Sequence, residues 1–211
     1  MRYEVAVLLA ELTGLLSFSF LALAIGTDYW YIVDVNKPNY TGSSDLSSHS
    51  GLWWINEGEN STSIIFPFAA NTTSLSEAER HLLGLHKVVI ILLPISLVLL
   101  VCGWIFGFVI SLARSPNLLA GLASYFLFCS LFTLSGVSIY ISYSHHAMEE
   151  FERLVSPEDL VYVDVSFGWS LAVVWLSFGL EVTTGLLLML SSVFKPTRWL
   201  VLLHRSHQRI G

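Results

Sequence analysis

Long apolar segments alternate with polar stretches along this chain. The apolar segments cover residues 5–25, 88–112, 118–143 and 167–194, and the two middle ones contain no Asp, Glu, Lys or Arg. About 20 apolar residues span a bilayer, because a helix rises ~1.5 Å per residue and the hydrocarbon core is ~30 Å thick. The pattern therefore predicts an α-helical membrane protein with four transmembrane helices, the second and third joined by a tight connection at residues 113–117.

The polar stretches contain shorter patterns that are typical of β-strands. Residues 28–35, 50–55 and 64–68 are rich in aromatic and β-branched side chains, although Pro67 weakens the third run. Residues 144–154 continue the helical pattern of the third span, and residues 160–167 then alternate like a strand at the edge of a sheet. We predict one domain, residues 1–211, in which a small extracellular antiparallel β-sheet rests on a four-helix transmembrane bundle.

Composition excludes several classes of protein. Of the 211 residues, 54% are hydrophobic and 12% charged, whereas a soluble domain carries about 25% charged residues. The net charge of −6 disfavours binding to nucleic acid. The two cysteines, Cys102 and Cys129, lie inside apolar segments, and the sequence contains no CxxC motif and no metal-binding spacing of Cys and His. We therefore expect no cofactor and no metal site. His145 and His146 beside Glu149 could bind a cation weakly, but we interpret them as a solvated helix end.

The distribution of charge predicts the orientation in the membrane. Six Lys and Arg residues and one acid flank the side that holds both termini, whereas four Lys and Arg residues and thirteen acids lie in residues 28–87 and 144–166. The positive-inside rule then places both termini in the cytosol. Three glycosylation sequons, at Asn39, Asn60 and Asn71, lie on the opposite side and agree. An alternative is that residues 1–24 are a signal peptide, but their apolar stretch is long and contains Glu11.

A few residues inside the predicted spans are unusual for a membrane. Glu181 lies near the middle of the fourth span, where a charge costs a few kcal/mol. It could be protonated and hydrogen-bonded in the bundle, contact a partner's helix, or belong to an ion path; the first is favoured because the spans contain no Lys, Arg or His. Glu11 could reach the cytosolic interface. Gly103 and Gly107 permit close helix packing, within the bundle or, less favoured, between copies.

The motif Gly51-Leu52-Trp53, preceded by Trp30 just after the first span, resembles the claudin and peripheral myelin protein superfamily, which includes calcium-channel gamma subunits. Residues 26–32, 46–53, 136–141 and 166–170 look like its branch called transmembrane proteins 235 and 114. The resemblance implies that Trp30, Gly51, Leu52 and Trp53 anchor the extracellular sheet. It also implies a disulfide, but Asn56 and Thr62 occupy the matching positions, so no bridge can form there.

No arrangement of residues in the sequence indicates catalysis, so we expect a binding function. The first hypothesis is an auxiliary or organising subunit in the plasma membrane that contacts a channel or receptor subunit within the lipid bilayer and outside it. The second is adhesion between copies of the chain at a cell junction. An intramembrane enzyme or a transporter is disfavoured, because the spans contain neither catalytic residues nor a polar pathway.

Overall fold

The computed structural model describes residues 3–35, 48–57, 61–64, 76–113, 115–154 and 162–207. Within these ranges the long helices are α1 (Tyr3–Gly26), α2 (Glu77–Ala113), α3 (Pro116–Leu154) and α4 (Trp169–His207). All four are long and apolar enough to cross a membrane. The prediction of four spans is confirmed, and so is the short connection between α2 and α3.

Several helix boundaries differ from the apolar segments. Helix α3 continues to Leu154, as the pattern at residues 144–154 predicted, and α4 continues to His207, beyond the apolar segment that ends at residue 194. Helix α2 begins at Glu77, well before the apolar segment at residue 88. A capping box explains this start: Ser76 N donates to Glu79 Oε2 at 2.8 Å, and Glu79 N donates to Ser76 Oγ at 3.3 Å. Helix α4 begins at Trp169 instead of residue 167, because residues 163–167 form a strand.

The described strands form one antiparallel sheet in the order β4-β3-β2-β1-β5. They are β1 (Tyr31–Val35), β2 (Ser48–Ser50), β3 (Trp54–Glu57), β4 (Ser61–Ile64) and β5 (Val163–Phe167). The predicted strand at residues 160–167 is confirmed as an edge strand, since Val165 of β5 pairs with Val33 of β1. The prediction of a single strand at residues 50–55 is wrong. Gly51 N donates to Trp54 O at 2.8 Å, which turns the chain between β2 and β3.

The third predicted strand, at residues 64–68, lies almost wholly outside the described residues; only Ile64 is included, as the last residue of β4. The chain forms two compact units. One comprises Met1–Phe20, Ile95–Phe132 and Leu176–Gly211, and the other comprises Leu21–Pro94 and Thr133–Trp175. We call the second the sheet unit, because it contains the described strands, and the first the terminal unit, because it contains both chain ends.

Candidate functional site

Within the sheet unit, the strand region is joined to the C-terminal end of helix α1. The last carbonyl groups of a helix have no partner within it and need donors from elsewhere. The indole Nε1 of Trp30 donates to the Ala24 carbonyl at 2.8 Å, and that of Trp53 donates to the Ile25 carbonyl at 3.0 Å. Thr27 Oγ1 also donates to Ala24 O, at 3.1 Å. Two side chains from the strand region therefore cap α1.

Trp30 is fully buried in the core of the sheet unit. Its ring meets Tyr140 of α3 edge-on, with centroids 4.7 Å apart, a favourable arrangement of aromatic rings. Indole suits this position because its apolar body fills the core while its single N–H satisfies a carbonyl. The structure thus places both predicted anchor tryptophans at the junction of helix and sheet.

Gly51 and Leu52 form the turn that presses against the residues after α1. A Cβ atom at Gly51 would lie 2.6 Å from Asp28 Cα and 2.8 Å from Asp28 Oδ1, so only glycine fits. Leu52 beside it is fully buried. The turn between β2 and β3 is therefore packed directly on the segment Thr27–Trp30, which we call the junction segment.

Gly168 is a further residue of this junction that the sequence analysis did not single out. A Cβ atom there would overlap the carbonyl oxygen of Tyr29. Gly168 N donates to Trp30 O at 3.0 Å, and Ser170 N donates to Tyr29 O at 3.1 Å. The start of α4 is thus bonded to the junction segment. A glycine between a predicted strand and a predicted helix is the signal that could have identified it.

Polar and aromatic contacts continue from the junction segment into the sheet. Tyr29 stacks on His49 with centroids 4.6 Å apart, and Asn56 Nδ2 donates to His49 Nε2 at 3.0 Å. Burial, followed by the nearby charge of Glu152, raises the pKa of Tyr31 in β1. Asn56 also pairs in register with Thr62 of β4. The two positions that the family resemblance matched to a cysteine pair are therefore direct cross-strand neighbours.

In the terminal unit, hydroxyl groups join α1 to α4. Ser17 Oγ lies 3.1 Å from both the carbonyl oxygen and the Oγ of Ser177, and Ser177 Oγ donates to Ser17 O at 2.8 Å. Thr13 and Thr184 hydroxyls lie 2.8 Å apart. Small hydroxyl side chains allow the backbones of two membrane helices to approach and to bond across the contact. The roles of Thr13 and Ser17 were not predicted from the sequence.

Glu181 lies beside this hydroxyl contact. Its side chain is 0% exposed, and Ser177 Oγ lies 3.5 Å from its Oε1 atom. Such burial favours the interpretation that Glu181 is hydrogen-bonded inside the protein, because a helix of another protein does not reach a fully enclosed side chain.

Glu11 lines a cavity of the terminal unit together with Gly103, Gly107 and Phe126. Its Oε1 atom is enclosed and has no hydrogen-bond partner among the described residues. The expectation that Glu11 reaches an interface with water therefore does not hold for this oxygen, which turns inward.

Gly103 and Gly107 face helix α3. A Cβ atom at Gly103 would lie 2.7 Å from the Tyr125 ring, and one at Gly107 would lie 3.4 Å from Leu122. The glycine motif therefore packs against a helix of its own chain, which is the first of the two interpretations that the sequence left open.

The three predicted glycosylation sites, Asn39, Asn60 and Asn71, lie outside the described residues. Only Ser61 and Thr62 of the middle sequon are included, as the first residues of β4. Glycosylation of all three sites stays a prediction.

Comparison with known proteins agrees with the observed fold. The family described as PMP-22/EMP/MP20/Claudin tight junction matches residues 15–190, which is most of the chain. The chain belongs to this family. Together with the four apolar helices, this membership makes it a claudin-like multi-pass integral membrane protein, embedded in the lipid bilayer.

This claudin-like chain also matches curated relatives at low identity. The voltage-dependent calcium channel gamma-5 subunit of Homo sapiens is 24% identical over 189 residues, which cover 85% of this chain and 67% of the subunit. The gamma-5 subunits of Mus musculus and Rattus norvegicus match with the same identity and coverage. The finer resemblance to transmembrane proteins 235 and 114 stays a prediction.

Proposed function

We propose that this claudin-like protein is an auxiliary or organising subunit of a channel or receptor in the plasma membrane. The observation that carries the proposal is the similarity to a calcium-channel gamma subunit along 85% of the chain. Proteins of this family act as structural or auxiliary proteins and not as enzymes, which agrees with a binding role.

The geometry of the sheet unit supports such a role. Four hydrogen bonds join the strand region to the helices. Trp30 and Trp53 donate to the last turn of α1, and Gly168 and Ser170, at the start of α4, donate to the junction segment. A binding surface that is already ordered loses little entropy when a partner docks. Trp54 and Phe167 on this sheet are 38% and 52% exposed and are available for apolar contacts.

The charges support a particular kind of partner surface. In the proposed orientation, with both termini in the cytosol, the sheet side of the protein carries thirteen acids against four Lys and Arg residues. An acidic surface steers association with basic surfaces and raises the rate of encounter. We therefore propose a partner whose extracellular face is basic.

Photo-crosslinking in intact cells tests this proposal. Benzoylphenylalanine replaces Trp54 or Phe167, which are exposed, and as a matched control replaces Leu52, which is fully buried. We expect the exposed positions to form covalent adducts with a channel or receptor subunit, and the Leu52 position to form none. Adducts only with further copies of this chain would contradict the proposal.

A second candidate function is adhesion at cell junctions, because the family description includes tight-junction claudins. The proposed glycans at Asn39, Asn60 and Asn71 would hinder the close approach of two such surfaces, so adhesion ranks second. Cells that express the chain should not aggregate in suspension. Strong clustering of the protein at contacts between expressing cells would reverse the ranking.

A further inference from the structure

Three metal-ligating side chains lie close together near the end of helix α3. One ligand atom each from His145, His146 and Glu149 lies within 4.8 Å of the other two. His146 Nδ1 lies 3.7 Å from Glu149 Oε2. The sequence places these residues within about one helical turn, a pattern that is also common for solvated side chains.

The structure brings the ring of a further histidine close to His146 from another helix. His81, in the early part of α2, has its ring centroid 5.8 Å from that of His146, with the rings inclined by 39°. Zinc binds imidazole nitrogen at about 2.0–2.1 Å, so two imidazoles that share a tetrahedral zinc ion have centroids about 5 Å apart. The observed separation is therefore within a small side-chain movement of a shared metal ion.

His146 carries a second, independent indication of a ligand. Its side chain is 45% exposed, but its Nδ1 atom is enclosed and has no hydrogen-bond partner among the described residues, and the 3.7 Å to Glu149 is too long for a hydrogen bond. Burying a polar atom without a partner costs free energy. A metal ion between His146, His81 and Glu149 would satisfy it.

We propose that His81, His145, His146 and Glu149 bind one divalent transition-metal ion of the zinc or copper type. Imidazole nitrogen with one carboxylate suits these ions, whereas calcium and magnesium prefer oxygen ligands. His81, His145 and Glu149 are exposed, so their side chains can rotate to shorten the present separations.

Such an ion would tie α2 to α3 inside the sheet unit. Glu152, about one helical turn beyond Glu149, is close enough to Tyr31 of β1 for its charge to act on that side chain. The proposed site therefore lies about one turn of α3 from a charge that acts on a residue of the sheet.

Calorimetric titration of ZnCl2 into the full chain, purified in nanodiscs and freed of metal, tests the site. We expect one ion per chain and at least about tenfold weaker binding for His81→Gln, His146→Gln and Glu149→Gln, because even a residue that only orients a metal ligand contributes about 10- to 100-fold. Glu150→Gln, directly beside Glu149 in the chain, is the matched control and should bind within about twofold of the unchanged chain.

Electron paramagnetic resonance of bound Cu²⁺ provides a second measurement, since the superhyperfine splitting by ligand nitrogen nuclei reports how many nitrogen atoms bind the ion. The unchanged chain should show one nitrogen more than the His81→Gln variant. Absence of saturable zinc binding below about 100 µM would overturn the proposal. Equal affinity and an equal nitrogen count in the His81→Gln variant would overturn it as well.

Discussion

The carbonyl groups at the end of α1 show how single side chains determine the attachment of the sheet. Trp30 and Trp53 reach Ala24 and Ile25 from positions that are distant from each other in the chain. Both indoles combine apolar burial with one hydrogen bond, and this combination explains why phenylalanine or leucine would not replace them equally well. Gly51 and Gly168 contribute in the opposite way, through the absence of a side chain.

Replacing Trp53 with phenylalanine tests the capping role. The ring stays, but the N–H that bonds Ile25 O is lost, so we expect the free energy of unfolding in detergent to fall by about 1 kcal/mol. Trp53→Ala should in addition impair delivery to the cell surface, because the turn loses its apolar contact. Trp54→Phe, at an exposed position, should change stability by less than about 0.5 kcal/mol. Equal losses at both positions would contradict the capping role.

Substitution of the junction glycines tests the close packing. Gly51→Ala and Gly168→Ala each introduce a Cβ atom against backbone of the junction segment, and we expect a loss of about 1–3 kcal/mol. Gly84→Ala is the control, because a Cβ atom there meets nothing within 4 Å and alanine favours a helix by about 1 kcal/mol. Thermal unfolding of the purified variants measures both effects. Similar melting temperatures for all three would show that the junction tolerates a side chain.

The strands and helices show which patterns the sequence makes visible. The alternation at residues 160–167 predicted β5 and its edge position, because period-two alternation depends only on neighbouring residues. Residues 50–55 contain the same aromatic and apolar types but conceal a turn at Gly51, because this turn depends on packing against Asp28. The start of α2 was visible in Ser76 and Glu79 but lay outside the apolar segment.

A double cysteine substitution tests the register of the sheet. Asn56 and Thr62 are paired across β3 and β4, and directly opposed residues in antiparallel strands have the Cα separation that a disulfide needs. We expect Asn56→Cys with Thr62→Cys to form a disulfide that stabilises the protein by about 2 kcal/mol. Mass spectrometry and thermal unfolding with and without reductant measure this.

The control for this pair is Asn56→Cys with Ser63→Cys. Ser63 pairs with Ile55 and not with Asn56, and consecutive residues of a strand alternate between the two faces of a sheet. This combination should remain reduced, and an equally fast disulfide in it would disprove the register.

The contact between α1 and α4 is tested by Ser17→Ala. The variant loses the hydroxyl that lies 3.1 Å from Ser177 O and Oγ, and interhelical bonds of this kind contribute about 0.6–1.7 kcal/mol in membrane proteins. We expect a loss in that range in mixed-micelle unfolding. Ser19→Ala is the control, because Ser19 donates within its own helix to Leu15 O. A loss as large for Ser19 as for Ser17 would contradict the interhelical role.

For the molecule as a whole, the asymmetry of charge makes a prediction about its orientation. We expect epitope tags at both ends to be inaccessible to antibodies on intact cells and accessible after permeabilisation. Treatment with a glycosidase should increase the electrophoretic mobility, and the combined substitution of Asn39, Asn60 and Asn71 by glutamine should abolish that shift. A tag that is accessible on intact cells would contradict both the orientation and the proposed extracellular contacts.

Some of the site could be inferred from local sequence and some could not. The resemblance pointed to Trp30, Gly51, Leu52 and Trp53 as a group, but not to the carbonyl groups that the indoles bond. The pairing of Asn56 with Thr62 agrees with the matched cysteine positions. Gly168, Ser17 and the partnership of His81 with His146 were not predicted, because each depends on a contact between distant parts of the chain.

The sequence by itself determined the number of spans, the class of protein and the approximate position of each helix, because apolar length and local periodicity act within a few turns of chain. Only the tertiary structure decided that the indoles cap α1, that Gly103 faces Tyr125 and that Glu181 is enclosed. These features arise when helices and strands that are far apart in sequence pack together. Packing geometry of this kind leaves no periodic signal in a single chain.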